Sequence, residues 1–213
     1  MTGSVSKGLE AIFGHTALPD GLFYRFPYAL RLELGAQGVN RVASFLQAVD
    51  RARAVVRAVF VSAEMIKVVF AGIAPSPLTK ADQELLRALR GTGFAPRLQS
   101  LERLPLEPGE EDFWGDGSET LYRYLCTTRP GATMADIDAL IWSCCAQDVG
   151  IEPRIGLDVF LIDERRGLAL HIYDDRGMDL IAMKRETIVE YHRAFGPWLL
   201  DYDRARMDAT FAA

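Results

Sequence analysis

HIYDDRGMDLIA, residues 171–182, gathers one histidine, one tyrosine, three aspartates and one arginine within nine positions and flanks them with apolar residues. Such a cluster is either a chemical site or a turn between two strands. Its centre, DDRG, suits a type I turn, with Asp174 at the first position, Gly177 at the fourth, and the Asp174 carboxylate able to accept from the turn's own amides. The joint before it has the same form, Asp163 followed by ERRG. Three strand-like runs, IGLDVFLID, LALHIYD and MDLIAM, are thus linked by two turns. Both turns end in glycine, which suits the left-handed position that closes many hairpins, so the runs form an antiparallel meander.

Register sorts the remaining residues. With Glu164–Gly167 as the first loop and Asp175–Gly177 as the second, Val159, Leu161, Leu170, Ile172, Leu180 and Ala182 share one wholly apolar face, the face for helices to cover. On the other face Asp158, Tyr173 and Asp179 fall in one row and Phe160, His171 and Ile181 in the next. Asp158, His171, Tyr173 and Asp179 are therefore the candidate catalytic residues, able as a group to hold a proton, bind a cation or pair with a basic partner. The competing reading is a half-exposed sheet face whose aspartates pair with arginines such as Arg176 or Arg204. The two aspartates stand two strand spacings of about 4.8 Å apart, too wide for a metal ion without further ligands, so no metal site is assigned and no cofactor is expected. His192, on the following helix, neighbours Tyr191 and Phe195 and reads as a packed or surface histidine.

Upstream of the meander, YALRLEL alternates Tyr28, Leu30, Leu32 and Leu34 against Ala29, Arg31 and Glu33, a strand with one wet face. Asn40 caps a helix of about five turns with an apolar stripe from Val42 to Phe60, and MIKVVFAGIA is a second strand. The chain thus opens with a β-α-β unit. Thr79 with Asp82 starts a second helix that Gly91 closes. RLQSLERL is extended, residues 105–118 are an acidic surface loop, and TLYRYLC is a strand. Thr133 with Asp136 caps a third helix and Thr187 with Glu190 begins a fourth, stopped by Gly196 and Pro197. The expectation is one α+β domain over residues 1–213, with helices mainly against one sheet face. Phe113 and Trp114 in the acidic loop either pin it to the body or present an anchor to a partner, and Asp175 and Arg176 are the exposed tip of the second hairpin.

Composition narrows the classes. The 213 residues are 49% hydrophobic and 25% charged, with 29 acids against 24 bases and a formal charge of -5. An acidic chain does not attract phosphate backbones, so no nucleic-acid partner is expected, and a basic protein is the complementary partner. The amino terminus lacks the continuous apolar stretch of a secretory signal, and no apolar run approaches the about 20 residues that cross a bilayer. A soluble cytoplasmic protein with no membrane partner is expected. Cys126, Cys144 and Cys145 have no CxxC spacing and read as core residues. GxGxxG, GxxxxGK[ST], HExxH and GxSxG are all missing, which weakens an enzymatic reading.

LFYRFPYALRLELG, HIYDDRGMDLIA and WLLDYDR together resemble a bacterial family known as domain of unknown function 3885. The likeness covers nearly the whole chain, and its clearest positions are Tyr173, Asp174, Asp175, Arg176, Gly177, Asp179, Trp198, Asp201, Tyr202, Asp203 and Arg204. It implies a single-domain bacterial cytoplasmic protein and assigns no catalytic residue. Two functions stand open. One is a non-catalytic, immunity-like or inhibitor-like binding module using Phe113, Trp114, Asp175 and Arg176. The other is a small acid/base hydrolase-type enzyme working from Asp158, His171, Tyr173 and Asp179.

Overall fold

A computed structural model of the chain describes residues 4–75, 98–106, 120–128 and 132–212. Its strands are β1 (Tyr28–Glu33), β2 (Lys67–Pro75), β3 (Leu98–Pro105), β4 (Leu121–Thr128), β5 (Asp158–Asp163), β6 (Leu168–Ile172) and β7 (Gly177–Ala182). Among the described residues they form one seven-stranded sheet in the order β1-β7-β6-β5-β2-β4-β3, antiparallel at every pairing. The helices are α1 (Val5–Phe13), α2 (Leu22–Arg25), α3 (Arg41–Val59), α4 (Met134–Cys145), α5 (Arg185–Ala194) and α6 (Arg204–Phe211). The class is α+β, as expected. The opening β1-α3-β2 unit is present in chain order, with the meander inserted between its two strands.

Local chemistry accounts for the main helices. The Asn40 side chain accepts from the Ala43 amide at 2.9 Å, and α3 then buries Phe45, Ala48, Val49, Ala52, Val55, Val56 and Val59, a stripe at helical spacing. α4 starts on a reciprocal capping box in which the Asp136 amide donates to Thr133 Oγ1 and the Thr133 amide donates to the Asp136 carboxylate. α1 forms in the amino-terminal segment, where no helix is expected from the absence of a secretory signal. Ser4 caps that helix, and Val5, Leu9 and Phe13 are buried along one side of it. The helix expected from Thr79 and most of the acidic loop, with Phe113 and Trp114, lie outside the described residues.

The first hairpin has the expected register, Asp163 opposite Leu168 and Phe160 opposite His171. The second is displaced by two residues, so His171, not Tyr173, stands opposite Asp179. A slip of two preserves the face, so the apolar row is as expected: Val159, Leu161, Leu170, Ile172, Leu180 and Ala182 are all buried. The displacement arises because Tyr173 leaves the strand and lies across Gly177. A methyl group on Gly177 would collide with the Tyr173 hydroxyl and would sit 2.9 Å from the Leu32 carbonyl oxygen. Gly167 has the left-handed backbone expected of it, φ +59°, whereas Gly177 is outside that region and is required for space.

Both faces of β6 and β7 are buried. On the mixed face, Glu102 of β3 accepts from the Val5 and Ser6 amides at the start of α1, and Asp179 of β7 accepts from the Phe23 amide of α2. The amino-terminal segment therefore closes the face that was expected to be half open. β1 is an edge strand, and the carboxyl-terminal segment covers its outer side. The Leu200 amide donates to the Arg31 carbonyl oxygen at 2.9 Å, and the Arg31 amide lies 3.3 Å from the Met207 sulfur. An edge covered in this way offers no free ladder to another chain.

Candidate functional site

The mixed sheet face converges on Asp179. β7 places this carboxylate between β1 and β6, and its side chain is 0% exposed. It is fully engaged: Oδ1 accepts from Arg31 Nε at 3.0 Å, and Oδ2 accepts from Arg31 Nη2 at 3.4 Å and from the Phe23 amide at 3.0 Å. Arg31 and Asp179 are direct partners in the β1–β7 register, which is why the fork can be two-pronged. Burial alone would lower the guanidinium pKa. The hydrogen bonds and charge of Asp179 outweigh it, the net shift is upward, and Arg31 stays charged.

A second layer lies outside this pair. Arg31 Nη1 donates to the Tyr24 hydroxyl at 3.0 Å and lies 3.5 Å from Asp203 Oδ2, to which Tyr24 also donates at 3.1 Å. The Arg31 guanidinium stands 4.6 Å from the centre of the Tyr24 ring, and Arg206 of α6 stands 4.9 Å from that of Phe23. Residues from α2, β1, β7 and the start of α6 are thus tied by one polar network. Arg176 and Arg204 are the expected partners of the mixed-face aspartates. Arg176 instead pairs with Asp174 and Asp148, and Arg204 reaches the Leu199 carbonyl oxygen at 3.3 Å. The partner is Arg31, whose signal was available: it is the one cation on the wet side of YALRLEL.

The other candidates gather beside this network. His171 is buried, packed on Phe160 with centroids 4.6 Å apart and edge-on to Tyr173 at 5.9 Å. Among the described residues neither ring nitrogen has a hydrogen-bond partner. Nε2 is 3.4 Å from Asp158 Oδ1, off the line of a hydrogen bond. Burial, then the negative charge of Asp179, raises the Tyr173 phenol, which therefore stays protonated across the physiological range. Asp158 is half-buried, with its side chain 37% exposed. His192 lies elsewhere, 2.9 Å from Asp208 of α6. Among the described residues no group of three histidine, cysteine or acidic side chains is arranged to hold a metal ion.

The hairpin tips are built as turns. Asp163 accepts from the Arg165 and Arg166 amides at 3.0 and 3.1 Å and from Arg166 Nε at 2.7 Å. Asp174 does the same for the next turn, accepting from the Arg176 amide and from Arg176 Nε, both at 2.7 Å. Arg176 is exposed and Asp175 half-buried, its carboxyl raised by burial and by the neighbouring Asp174 charge. The cysteines are core residues, and burial pushes the Cys126 and Cys145 thiols up to about 12.

Among the described helices none is long and apolar enough to cross a membrane. The chain matches no curated protein and no solved structure. One family model does match, over residues 5–203, a span that opens at the amide held by Glu102 and closes at the aspartate that completes the Arg31 network. The chain belongs to the family described as domain of unknown function, DUF3885.

Proposed function

We propose that this protein is a non-catalytic binding module, of the immunity or inhibitor type, that docks a basic protein partner. The observation that carries the reading is an apolar strip at the start of α3. Val42 and Leu46, one turn apart on α3, are 61% and 50% exposed, and Val39, just before the Asn40 cap, is 51% exposed, although Asn40 and Arg41 keep the surface polar around them. Arg41, in the same turn, donates to the Asp148 carbonyl oxygen at 2.7 Å, and Arg176 pairs with the Asp148 carboxylate, so the second hairpin tip borders the strip. The formal charge of -5 favours a basic partner through steering. Three free, buried thiols fit a reducing, cytoplasmic setting.

The test is a double variant, Val42→Asp with Leu46→Asp, which places charge on the strip while leaving the buried stripe of α3 intact. A partner captured from the native host and purified separately should bind the wild-type protein in calorimetry and lose that binding to the variant, with the variant's melting temperature unchanged. Equal binding to both proteins overturns the reading, and so does failure to obtain any partner that binds the purified protein.

The alternative is a small acid/base enzyme of the hydrolase type using Asp158, His171, Tyr173 and Asp179. What favours it is the buried His171, with both nitrogens unbonded, beside the half-open Asp158. What weighs against it is Asp179, whose oxygens are all committed to Arg31 and Phe23.

A further inference from the structure

The outer side of α3 carries two features of opposite shape. Toward its amino-terminal end the exposed Val42 and Leu46 form an apolar projection. Beside its carboxyl-terminal half a cleft of about 420 Å³ opens between α3 and α4, with Arg53 on one wall, Pro153 on the other, and Ala135, Ala139 and Trp142 along its floor. The volume accepts a leucine side chain, and the floor offers it apolar contact. Leu46 projects from the helix that forms one wall, so it cannot enter the cleft of its own chain.

Charge follows the same division. Asp50, exposed and midway between the two features, has no hydrogen bond or ion pair among the described residues. At the cleft Asp138 alone serves two arginines, Arg57 Nη2 at 2.6 Å and Arg53 Nε at 3.4 Å, while Arg154 pairs with Glu152 at 3.2 Å. Three cations there share two carboxylates, and the Arg53 and Arg57 side chains both reach the surface.

A helix that carries a projection, a lone carboxylate and a positively rimmed cleft, in that order, is complementary to itself when reversed. A two-fold axis between residues 51 and 52 sets Asp50 opposite Arg53 of a second copy. The same axis brings Leu46 to Arg57 at the second copy's cleft, and the exposed Val42 to the exposed Val61. Parallel pairing in register, or an axis at Asp50 itself, would set two unpaired carboxylates against each other.

We propose that the outer face of α3 joins two copies of this chain as an antiparallel, two-fold dimer, with Leu46 of each copy seated in the α3–α4 cleft of the other. α3 has 19 residues and is about 28 Å long. One helix face falls short of the roughly 1,200 Å² that stable interfaces bury, so the dimer is weak, with a dissociation constant on the order of 10–100 µM. Val42 and Leu46 also belong to the docking strip, so dimerisation would withhold that strip from a basic partner. This consequence rests on the proposed function, whereas the dimer does not.

The test is sedimentation equilibrium of the full-length protein from about 5 to about 500 µM, a range that brackets the expected constant. A reversible, concentration-dependent dimer is expected. Leu46→Asp removes the projection, Ala139→Leu fills the cleft floor, and Asp50→Lys, at an exposed position, sets like charges face to face. Each should weaken association more than about tenfold, with melting temperatures recorded alongside. Mixing the first two variants should recover part of the association, because Leu46 of the Ala139→Leu chain still fits the unfilled cleft of the Leu46→Asp chain. A wild-type monomer at every concentration overturns the proposal, as do variants that associate as tightly as wild type or a mixture no tighter than its components. No partner enters this measurement, so its failure leaves the proposed docking untouched, and a failed partner search leaves the dimer standing.

Discussion

Replacing Asp179 with asparagine separates a structural aspartate from a catalytic one. Wild-type Asp179 is fully buried and satisfies three donors, Arg31 Nε, Arg31 Nη2 and the Phe23 amide. Asparagine offers one acceptor oxygen and turns its own amide N–H groups toward the remaining donors, so at least one donor loses its partner. Removing one member of a buried ion pair costs about 3–5 kcal/mol. Here the stranded guanidinium keeps the Tyr24 hydroxyl at 3.0 Å and Asp203 at 3.5 Å, which places the expected loss near the lower end, about 3 kcal/mol. For a chain of this size each kcal/mol moves the melting temperature by about 2–4 °C, so a fall of roughly 6–12 °C is expected. Urea unfolding followed by circular dichroism measures the free energy directly. Asp158→Asn is the control: that carboxylate is 37% exposed, receives no hydrogen bond among the described residues, and its replacement should cost less than about 1 kcal/mol. The reasoning is refuted if Asp179→Asn unfolds within about 1 kcal/mol of the wild type, because the Arg31 fork would then contribute little and Asp179 would be free for chemistry.

Gly177→Ala should destabilise by about 1–3 kcal/mol, since the added methyl collides with the Tyr173 hydroxyl; Tyr173→Phe in the same chain should recover part of the loss, and denaturant midpoints of the three proteins decide it. His171→Leu removes a buried ring whose nitrogens are unbonded, so its stability should fall by less than about 1 kcal/mol or rise, whereas a loss above about 3 kcal/mol would mean that the imidazole holds a partner. Burial would raise the Glu102 carboxyl, but the hydrogen bonds from Ser6, Val5 and Ser4 outweigh it and hold it below its ordinary 4.5. Its stabilising contribution is therefore complete above that pH and is lost as pH falls through the lowered folded-state value. Glu102→Gln should accordingly be less stable than wild type at pH 7, with the gap narrowing in acid; a gap unchanged between pH 7 and pH 3 would refute the assignment.

What the sequence disclosed depended on how far apart the interacting residues are in the chain. The first hairpin was legible to the residue because Asp163, the ERRG loop and Leu168 are contiguous. In the second, Asp174 and Arg176 form the expected turn, but the departure of Tyr173 across Gly177 is a packing event that no local rule encodes, and it moved Asp179 from the tyrosine to His171. Period-two alternation survives a slip of two, so the mixed face was correctly populated with its rows wrongly matched. The Arg31–Asp179 fork joins residues 148 positions apart and depends on β1 pairing with β7, which pattern alone does not specify. The closure of that face by α1 and α2 was hidden for the same reason: the amide of Phe23 meets Asp179 from 156 positions away. α1 was a different kind of miss, since the Ser4 cap and the spacing of Val5, Leu9 and Phe13 were local signals left unread.

The position of β1 at the rim of the sheet has a consequence for how the chain matures on the ribosome. Its strand neighbour among the described residues, β7, and the Leu200 and Met207 groups that cap its free side all follow it in the chain by more than about a hundred residues. Until they emerge, the apolar side chains of Ala29, Leu30 and Leu32 have no ladder to join, and β1 must wait for partners made well after it. Such late pairing leaves a nascent chain open to wrong partners and gives chaperones a window in which to hold it.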